Sequence, residues 1–199
     1  MPRTPLQNLE IREKTKKQIM NAGLKVFAVK GYHGTSISDI AREAGVSKGL
    51  AYNYFKSKKD LAEAVLMNLG DIMAQFEEIF KLSDDPFLII EMIIRGTFKQ
   101  VKENDEFWRL YISFVTQVEM AEVAKKVMGN FFDMFFPKLT KLFRQIGLKN
   151  PKAEAYIFGA IMDGVPLDYL IDKDNYPIDL VEKQLIRKYS REELEKLKN

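Results

Sequence analysis

The sequence predicts an all-α protein, because helix start signals recur along the chain and its apolar residues follow helical spacing. An S-x-x-D capping box begins at Ser36 and again at Ser57, where a serine oxygen and a carboxylate can each satisfy a free amide of the first turn. No run of strand length alternates apolar and polar residues between turn residues, and no repeat period is evident. We therefore expect helices from one end of the chain to the other.

Two short helices are predicted in direct succession after Ser36. The first places its apolar residues at i, i+3, i+4 and i+7, namely Ile37, Ile40, Ala41 and Ala44. Gly45 ends it, since the residue after a helix commonly needs a positive φ. Ser47 caps the second helix, Lys48 to Phe55, and the short turn between the two predicts a steep crossing, as in a helix-turn-helix motif.

The second of these helices has an unusual composition for a helix in a protein core. Leu50, Ala51 and Phe55 are left to anchor it, and Gly49 costs on the order of 1 kcal/mol relative to alanine in a helix interior. Close approach of a phosphate or a base edge is one reason to keep a glycine there. The alternative is a solvated helix face with half-packed tyrosines, and these residues alone do not separate the two interpretations.

Charge is distributed unevenly along the chain and favours the nucleic-acid interpretation. Residues 1–60 hold 12 Lys and Arg against 5 Asp and Glu, a net charge of +7, whereas residues 61–199 hold 19 against 23, a net charge of -4. A basic segment of this size is typical of a phosphate-binding module. The acidic remainder indicates a separate role for the rest of the chain.

Further helices are predicted after Ser57, each with a start or stop signal. Pro137 is expected to kink or split the longest, because proline lacks a backbone donor, and a bend is expected at Gly164-Val165-Pro166. The predicted helices run from Ser57 to about Phe80, from Pro86 to Val101, through Phe107 to Val115, from Met120 to Ile146, from the cap Asn150-Pro151 for about 20 residues, from Pro177 to Tyr189, and from the capping box of Ser190 and Glu193.

Composition excludes several classes of function. The 199 residues contain no cysteine and one histidine, His33, so disulfides, thiolate catalysis and two-histidine metal sites are excluded. No apolar run approaches the ~20 residues of a membrane span, and the N-terminus does not resemble a signal peptide. We expect a cytoplasmic protein without membrane association, cofactor or metal. No catalytic group or phosphate-binding loop with suitable spacing is present, so we expect no enzyme activity.

Residues 11–60 resemble the DNA-binding domain of the tetracycline-repressor (TetR) family of bacterial transcriptional regulators. The resemblance is carried by Ile19, Ala22, Phe27, Gly31-Tyr32, Thr35-Ser36, Asp39-Ile40-Ala41, Ala44-Gly45-Val46-Ser47, Lys48-Gly49, Tyr52, Tyr54-Phe55, Ser57-Lys58 and Leu61. The sequence departs from the family pattern at Ala51, where a larger aliphatic residue is usual, and at Tyr54, where histidine is common. The resemblance implies a helix-turn-helix domain over residues 1–57, built of three helices, and a helical bundle over residues 58–199 for ligand binding and dimerisation.

The resemblance implies roles for individual residues in binding operator DNA. Those implied to hold backbone phosphates are Ser36, Ser47, Tyr52, Tyr54 and Lys58. Those implied to lie at base edges are Lys48, Gly49, Leu50 and Asn53, with Leu50 suited to a thymine methyl group.

In the second domain the resemblance implies a pocket for a small inducer. Aromatic and methionine side chains would suit a largely apolar ligand, and the candidates are Met73, Trp108, Tyr111, Phe114, Phe131, Met134, Phe135 and Met162. For each of these residues taken singly, plain core packing is the competing interpretation.

The family pairs its last two long helices in a homodimer, and the sequence offers small and apolar residues for such an interface. They are Ala153, Ala155, Tyr156, Phe158, Gly159, Ala160, Ile161, Gly164 and Leu170. A two-fold dimer would present its recognition helices about 34–36 Å apart to a palindromic operator, and the implied function is an inducer-released repressor. A helical interaction module without a DNA role is the alternative, and it leaves the basic segment unexplained.

Overall fold

The computed structural model describes residues 4–115 and 121–196, although the side chains of residues 5–6, 68–77, 105–106, 114–115, 121, 124, 127 and 130 are not described. Every regular element in this part of the chain is an α-helix, which confirms the predicted all-α class. The helices are α1 (Pro5–Lys30), α2 (Ile37–Glu43), α3 (Lys48–Tyr54), α4 (Lys58–Ile79), α5 (Pro86–Glu103), α6 (Asp105–Val115), α7 (Ala121–Ile146), α8 (Pro151–Ile171), α9 (Ile178–Lys188) and α10 (Arg191–Lys196). No described helix is both long and apolar enough to span a membrane.

Two compact units make up the chain. Unit 1 comprises residues 1–69 and 109–124, and unit 2 comprises residues 70–108 and 125–199. The boundary that the resemblance implies, between residues 57 and 58, stays a prediction. Helix α4 contributes its first half to unit 1 and the remainder to unit 2.

In unit 1, α1 packs against α2 and α4. The buried side chains of α1 are Ile19, Ala22 and Phe27. A Cβ at Gly23 would lie 2.7 Å from Leu61 Cδ2, so the backbone of α1 approaches α4 closely and a side chain there would require the Leu61 side chain to shift. The Gln18 amide donates to the Ala44 carbonyl oxygen over 2.6 Å and ties α1 to the end of α2. The contact with α1 helps to hold α2 in place, since a helix of seven residues is too short to be stable alone.

In unit 2, a core of buried residues joins α5, α7, α8, α9 and α10. The rings of Phe143, Phe158 and Tyr189 meet within it at centroid separations of 5.1 to 5.9 Å. The Tyr189 hydroxyl donates to Glu154 Oε1 over 2.8 Å, and burial together with this carboxylate raises the pKa of Tyr189 above its ordinary value. The tyrosine is therefore a neutral hydrogen-bond donor inside an otherwise apolar core.

Of the two outcomes expected at Pro137, a split of the longest helix is wrong, because α7 is continuous from Ala121 to Ile146, whereas a kink there stays a prediction. Helix α8 is likewise one helix through Pro166. Phe135 and Leu139, on either side of Pro137, are both buried in the core of unit 2. Packing on both sides of the proline offsets the lost backbone hydrogen bond. The predicted start of this helix at Met120 lies outside the described residues.

Side-chain caps mark the starts of α1, α2, α3 and α5, and at two other helices the hydrogen bonds differ from those predicted. Asn150 stands at the N-cap position of α8, but its side chain makes no capping hydrogen bond. At α4, Ser57 Oγ accepts from the Asp60 amide over 3.0 Å as predicted, whereas the Asp60 carboxylate accepts from the Lys56 amide over 2.8 Å. The reciprocal half of this box therefore reaches one residue further back than expected.

Candidate DNA-binding surface

Helix α2 begins with the predicted capping box. Ser36 Oγ accepts from the Asp39 amide over 3.1 Å, and Asp39 Oδ2 accepts from the Ser36 amide over 3.1 Å. The Ser36 hydroxyl also donates to Asp39 Oδ2 over 2.6 Å, and the Lys30 ammonium donates to Oδ1 over 3.1 Å. These bonds, the one from the Ser36 hydroxyl first, hold the pKa of Asp39 well below its ordinary value. The Ser36 proton is already used inside the motif, so the implied phosphate contact of Ser36 stays a prediction.

Gly45 forms the turn that separates α2 from α3. Its φ of +65° lies in the left-handed region that glycine adopts without steric cost. The Val46 amide donates to the Ala41 carbonyl oxygen over 2.9 Å and the Gly45 amide donates to that of Arg42 over 3.1 Å. This pair of bonds is the Schellman arrangement, which satisfies the last carbonyls of α2 and ends it as predicted.

Helix α3 is anchored through few side chains. Ser47 Oγ accepts from the Leu50 amide over 3.1 Å and caps its first turn. Ala51 is fully buried, as is the C-cap residue Phe55, whereas Leu50 is 37% exposed and so does not anchor the helix as expected from its apolar character. Ala51 and Phe55 are therefore the side chains that anchor α3 in unit 1.

The opposite face of α3 is exposed, and it carries the residues that the resemblance implies for base contacts. These are Lys48, Gly49, Leu50 and Asn53, and Tyr52 is also 46% exposed. A Cβ built at Gly49 would meet no atom of the protein within 4 Å. Protein packing therefore does not require a glycine at this position. The free energy of helix formation that glycine loses relative to alanine has no explanation within unit 1.

Tyr54 and Lys58, both implied to hold phosphates, have contacts within unit 1. The Arg12 guanidinium of α1 lies 5.9 Å from the centroid of the Tyr54 ring. The Lys58 ammonium donates to the Tyr32 carbonyl oxygen over 2.8 Å and lies 4.5 Å from the Tyr32 ring centroid. Sequence reasoning did not identify Arg12, although it stands seven residues before the buried Ile19 and so lies on the same helix face.

The eight residues implied for the inducer pocket occupy different environments. Phe135 and Met162 are buried in the core of unit 2, and Phe131 stacks on Phe135 with ring centroids 4.8 Å apart. Trp108 and Tyr111 are buried on α6, and Met134 is partly buried. The side chains of the other two, Met73 and Phe114, lie outside the described residues. Two surface depressions of unit 2, one beside Tyr189 and Arg191 and one beside Lys138 and Lys141, contain none of the eight.

Both a short segment of the chain and most of its length are similar to bacterial transcriptional regulators. Residues 19–65 match the model of the family described as bacterial regulatory proteins, tetR family. The chain is 26% identical over 172 residues to the HTH-type transcriptional activator FasR of Mycolicibacterium smegmatis, covering 84% of this chain and 77% of that protein.

Two solved structures share the fold. The transcriptional regulator FadR from Bacillus subtilis in complex with stearoyl-CoA gives a TM-score of 0.74 at 19% identity, covering 87% of this chain and 96% of that one. A transcriptional regulator from Saccharomonospora viridis in complex with choline gives a TM-score of 0.74 at 16% identity, covering 88% and 95%. The likeness extends over both units of the chain.

Proposed function

This chain is a member of the TetR family of bacterial transcriptional regulators, and we propose that it is a repressor released from its operator by a small ligand. The exposed face of α3 carries this proposal. Of the seven residues of that helix only Ala51 is buried, and the other six are a lysine, a leucine, an asparagine, two tyrosines and a glycine with open space above it. Such a face has the donors and the clearance that a major groove requires.

The operator-bound form is proposed to be a homodimer joined through α8 and α9. Exposed apolar residues form a stripe along α8 at spacings of four and seven positions: Tyr156, Ala160, Leu167 and Ile171, with Ile157 beside it. Leu180 on α9 is exposed as well. A stripe of this kind supports burial against a second copy, since apolar side chains gain free energy on leaving water.

Part of the small-residue set expected at this interface faces inward instead. Ala155, Phe158 and Gly159 are buried within unit 2, and a Cβ at Gly159 would lie 2.7 Å from Phe136 Cε1. The small residues that remain accessible along the stripe are Ala153, Ala160 and Gly164. The proposed interface therefore uses one edge of α8, while the opposite edge packs on α7.

A fatty acyl group is the ligand class that we propose. The fold neighbour FadR is bound to stearoyl-CoA, and the eight candidate pocket residues here are aromatic or methionine side chains that would suit an acyl chain. Choline, the ligand of the other neighbour, is a cation, and the aromatic rings of the candidate set would bind it through cation–π contacts without a role for the methionines. The two classes make different demands on the pocket and can be separated by direct binding.

Release from DNA is proposed to pass through α4. Ligand binding in the helical domain would shift this helix and change the separation of the two recognition helices. The ligand can act only through its different affinities for the two arrangements, and DNA must weaken ligand binding by the same factor. The protein is proposed to act without catalysis and in the cytoplasm, where bacterial operators lie.

DNA binding is tested with a duplex that the wild-type protein selects from a random-sequence library. We expect Lys48→Ala and Tyr52→Ala to abolish retention of this duplex while the helical circular-dichroism spectrum is unchanged. Lys59→Ala, at an exposed lysine outside α3, is the matched control and should bind as the wild type does. A dimer that ignores every duplex at low salt would instead indicate a helical interaction module.

Ligand response is tested on the same protein and duplex. We expect stearoyl-CoA to release the duplex, whereas free coenzyme A and choline leave it bound. An acyl-CoA that demonstrably binds and does not change the affinity for DNA would refute the proposed regulation. A promoter carrying the selected duplex should be repressed by the protein in cells, and activation there would reverse the proposed direction of control.

A further inference from the structure

The first half of α1 precedes residue 19, where the match to the family model begins. This segment is nevertheless regular α-helix, and Thr4 and Gln7 form a reciprocal capping box at its start. Residues 7–14 are all exposed, so this part of the helix is not held by a hydrophobic core. Between residues 5 and 18 it carries four Lys and Arg against two Glu. Its surface is therefore basic and available to a partner.

One residue of this segment reaches the recognition helix. The Arg12 guanidinium lies 5.9 Å from the ring centroid of Tyr54, the last residue of α3. Among the described residues no carboxylate forms an ion pair with Arg12, and its side chain is exposed. An arginine beside a partly buried tyrosine thus presents several hydrogen-bond donors to solvent at the edge of the proposed DNA-binding face.

Phosphate is the partner that this pair of side chains fits best. A tyrosine hydroxyl can donate one hydrogen bond to a phosphate oxygen, and a guanidinium can donate two in parallel. Because the guanidinium lies against the Tyr54 ring, a phosphate bound by the Tyr54 hydroxyl would be within reach of Arg12. Both groups are donors, and the surrounding segment has a positive net charge.

We propose that Arg12 and Tyr54 jointly bind one phosphate of the DNA backbone, so that α1 extends the DNA contacts of each subunit beyond the helix-turn-helix motif. The proposal rests on the proposed function as a DNA-binding regulator. Arg12 precedes residue 19, where the match to the family model begins, and is not among the residues that carry the resemblance, so its contact cannot be read from either.

The test measures affinity for the wild-type-selected duplex against salt concentration by fluorescence anisotropy. We expect Arg12→Ala to weaken binding about three- to tenfold at about 0.1 M salt and to lower the salt slope by about one for each bound subunit. Arg12→Lys should restore most of the slope, because an ammonium still binds a phosphate. Lys14→Ala is the matched control, since Lys14 lies on the other side of α1, lining the depression between α1 and α2, and should keep the wild-type slope.

Joint binding is tested by repeating Arg12→Ala in a Tyr54→Phe background. The loss caused by Arg12→Ala should fall to less than half there, since the phosphate has already lost one of its two donors. Equal losses of affinity in both backgrounds would overturn the proposal. An unchanged salt slope in Arg12→Ala would also overturn it, and if the affinity were weaker at that unchanged slope, Arg12 would act only by positioning Tyr54. An equal drop in Lys14→Ala would overturn it in favour of diffuse charge. Wild-type protein that binds no duplex at low salt refutes the proposed function itself.

Discussion

The Lys58 ammonium donates a hydrogen bond of 2.8 Å to the Tyr32 carbonyl oxygen, and so links the first turn of α4 to the loop that follows α1. A weaker bond of 3.4 Å reaches the His33 carbonyl oxygen, and the Tyr32 ring lies 4.5 Å away. The family resemblance implies a phosphate contact for this lysine. Within unit 1 its charge already has partners, and α4 is also the helix through which we propose the ligand signal to pass.

We expect Lys58→Met to lower the free energy of unfolding by about 1 kcal/mol, because it removes a charged donor from partly buried carbonyl oxygens while keeping the side-chain length. Lys59→Met is the control: its ammonium lies 3.9 Å from Glu63 on an exposed surface, where an ion pair contributes little. Urea unfolding of both variants measures the difference. If the two variants were equally stable and Lys58→Met reduced the salt slope of DNA binding, Lys58 would bind a phosphate without stabilising the fold.

Gly49→Ala should raise stability and reduce DNA binding in the same molecule. Alanine is favoured over glycine in a helix interior by about 1 kcal/mol, and a Cβ at Gly49 meets no protein atom within 4 Å. The added methyl group would occupy the clearance that we assign to DNA. Thermal unfolding and anisotropy with the selected duplex give the two readouts.

Gly23→Ala is the matched comparison, since its Cβ would lie 2.7 Å from Leu61 Cδ2 and 3.3 Å from Val65 Cγ2. We expect it to lose stability, because the fully buried Leu61 side chain would have to shift within the packing between α1 and α4. Unimpaired DNA binding by Gly49→Ala would contradict this prediction, because it would mean that DNA does not approach α3 closely at residue 49.

Gly159→Ala should destabilise unit 2 by about 1–3 kcal/mol through overpacking. The Phe136 ring lies against this glycine and is stacked on Tyr156 with ring centroids 4.4 Å apart, so it cannot move away freely. Gly96→Ala on α5 has open space at its Cβ and should be neutral or stabilising. Denaturant midpoints of the two variants are compared. A Gly159→Ala protein as stable as the wild type would mean that the Phe136 ring does not lie against residue 159 in solution.

Acid should remove a contribution of Asp39 to stability. Its hydrogen bonds from Ser36 and Lys30 hold the folded-state pKa below the ordinary value of 3.8. A lowered folded-state pKa means that the unfolded chain binds the proton more readily, so this stability is present above pH 3.8 and is lost as pH falls below it. The stability difference between wild type and Asp39→Asn should therefore be smaller at about pH 2.5 than at about pH 6.

Ser36→Ala removes the largest cause of that pKa shift, and should reduce the acid-dependent part of the difference. Urea unfolding at both pH values provides the measurement. A difference that is independent of pH would mean that the Asp39 carboxylate is not held by these donors in solution.

Local hydrogen bonds made the helix-turn-helix region predictable from sequence. Ser36, Gly45 and Ser47 act on amides or carbonyls within a few residues, so their roles follow from spacing alone. The continuity of α7 through Pro137 did not follow, because it depends on Phe135 and Leu139 meeting distant helices in the core. Packing between elements overrides a local helix-breaking signal there.

The candidate site divides in the same way. The exposed face of α3 was predictable, because the apolar residues of that helix are few. The approach of Arg12 to Tyr54 and the bonds from Lys58 to the carbonyls after α1 join residues that are 25 or more positions apart in sequence, so they depend on how α1 packs. The inward orientation of Gly159 likewise depends on Phe136 of another helix.

Sequence selection by an Asn53 variant tests most directly whether α3 reads base pairs. The random-library selection is repeated with Asn53→Ala and with Tyr52→Phe, and the preferred duplexes are compared with that of the wild type. We expect Asn53→Ala to lose preference at one base pair of each half-site, worth about 1–3 kcal/mol, and Tyr52→Phe to weaken binding evenly across sequences. An Asn53→Ala protein that selects the wild-type sequence with undiminished preference at every position would contradict the assignment of α3 as the recognition helix.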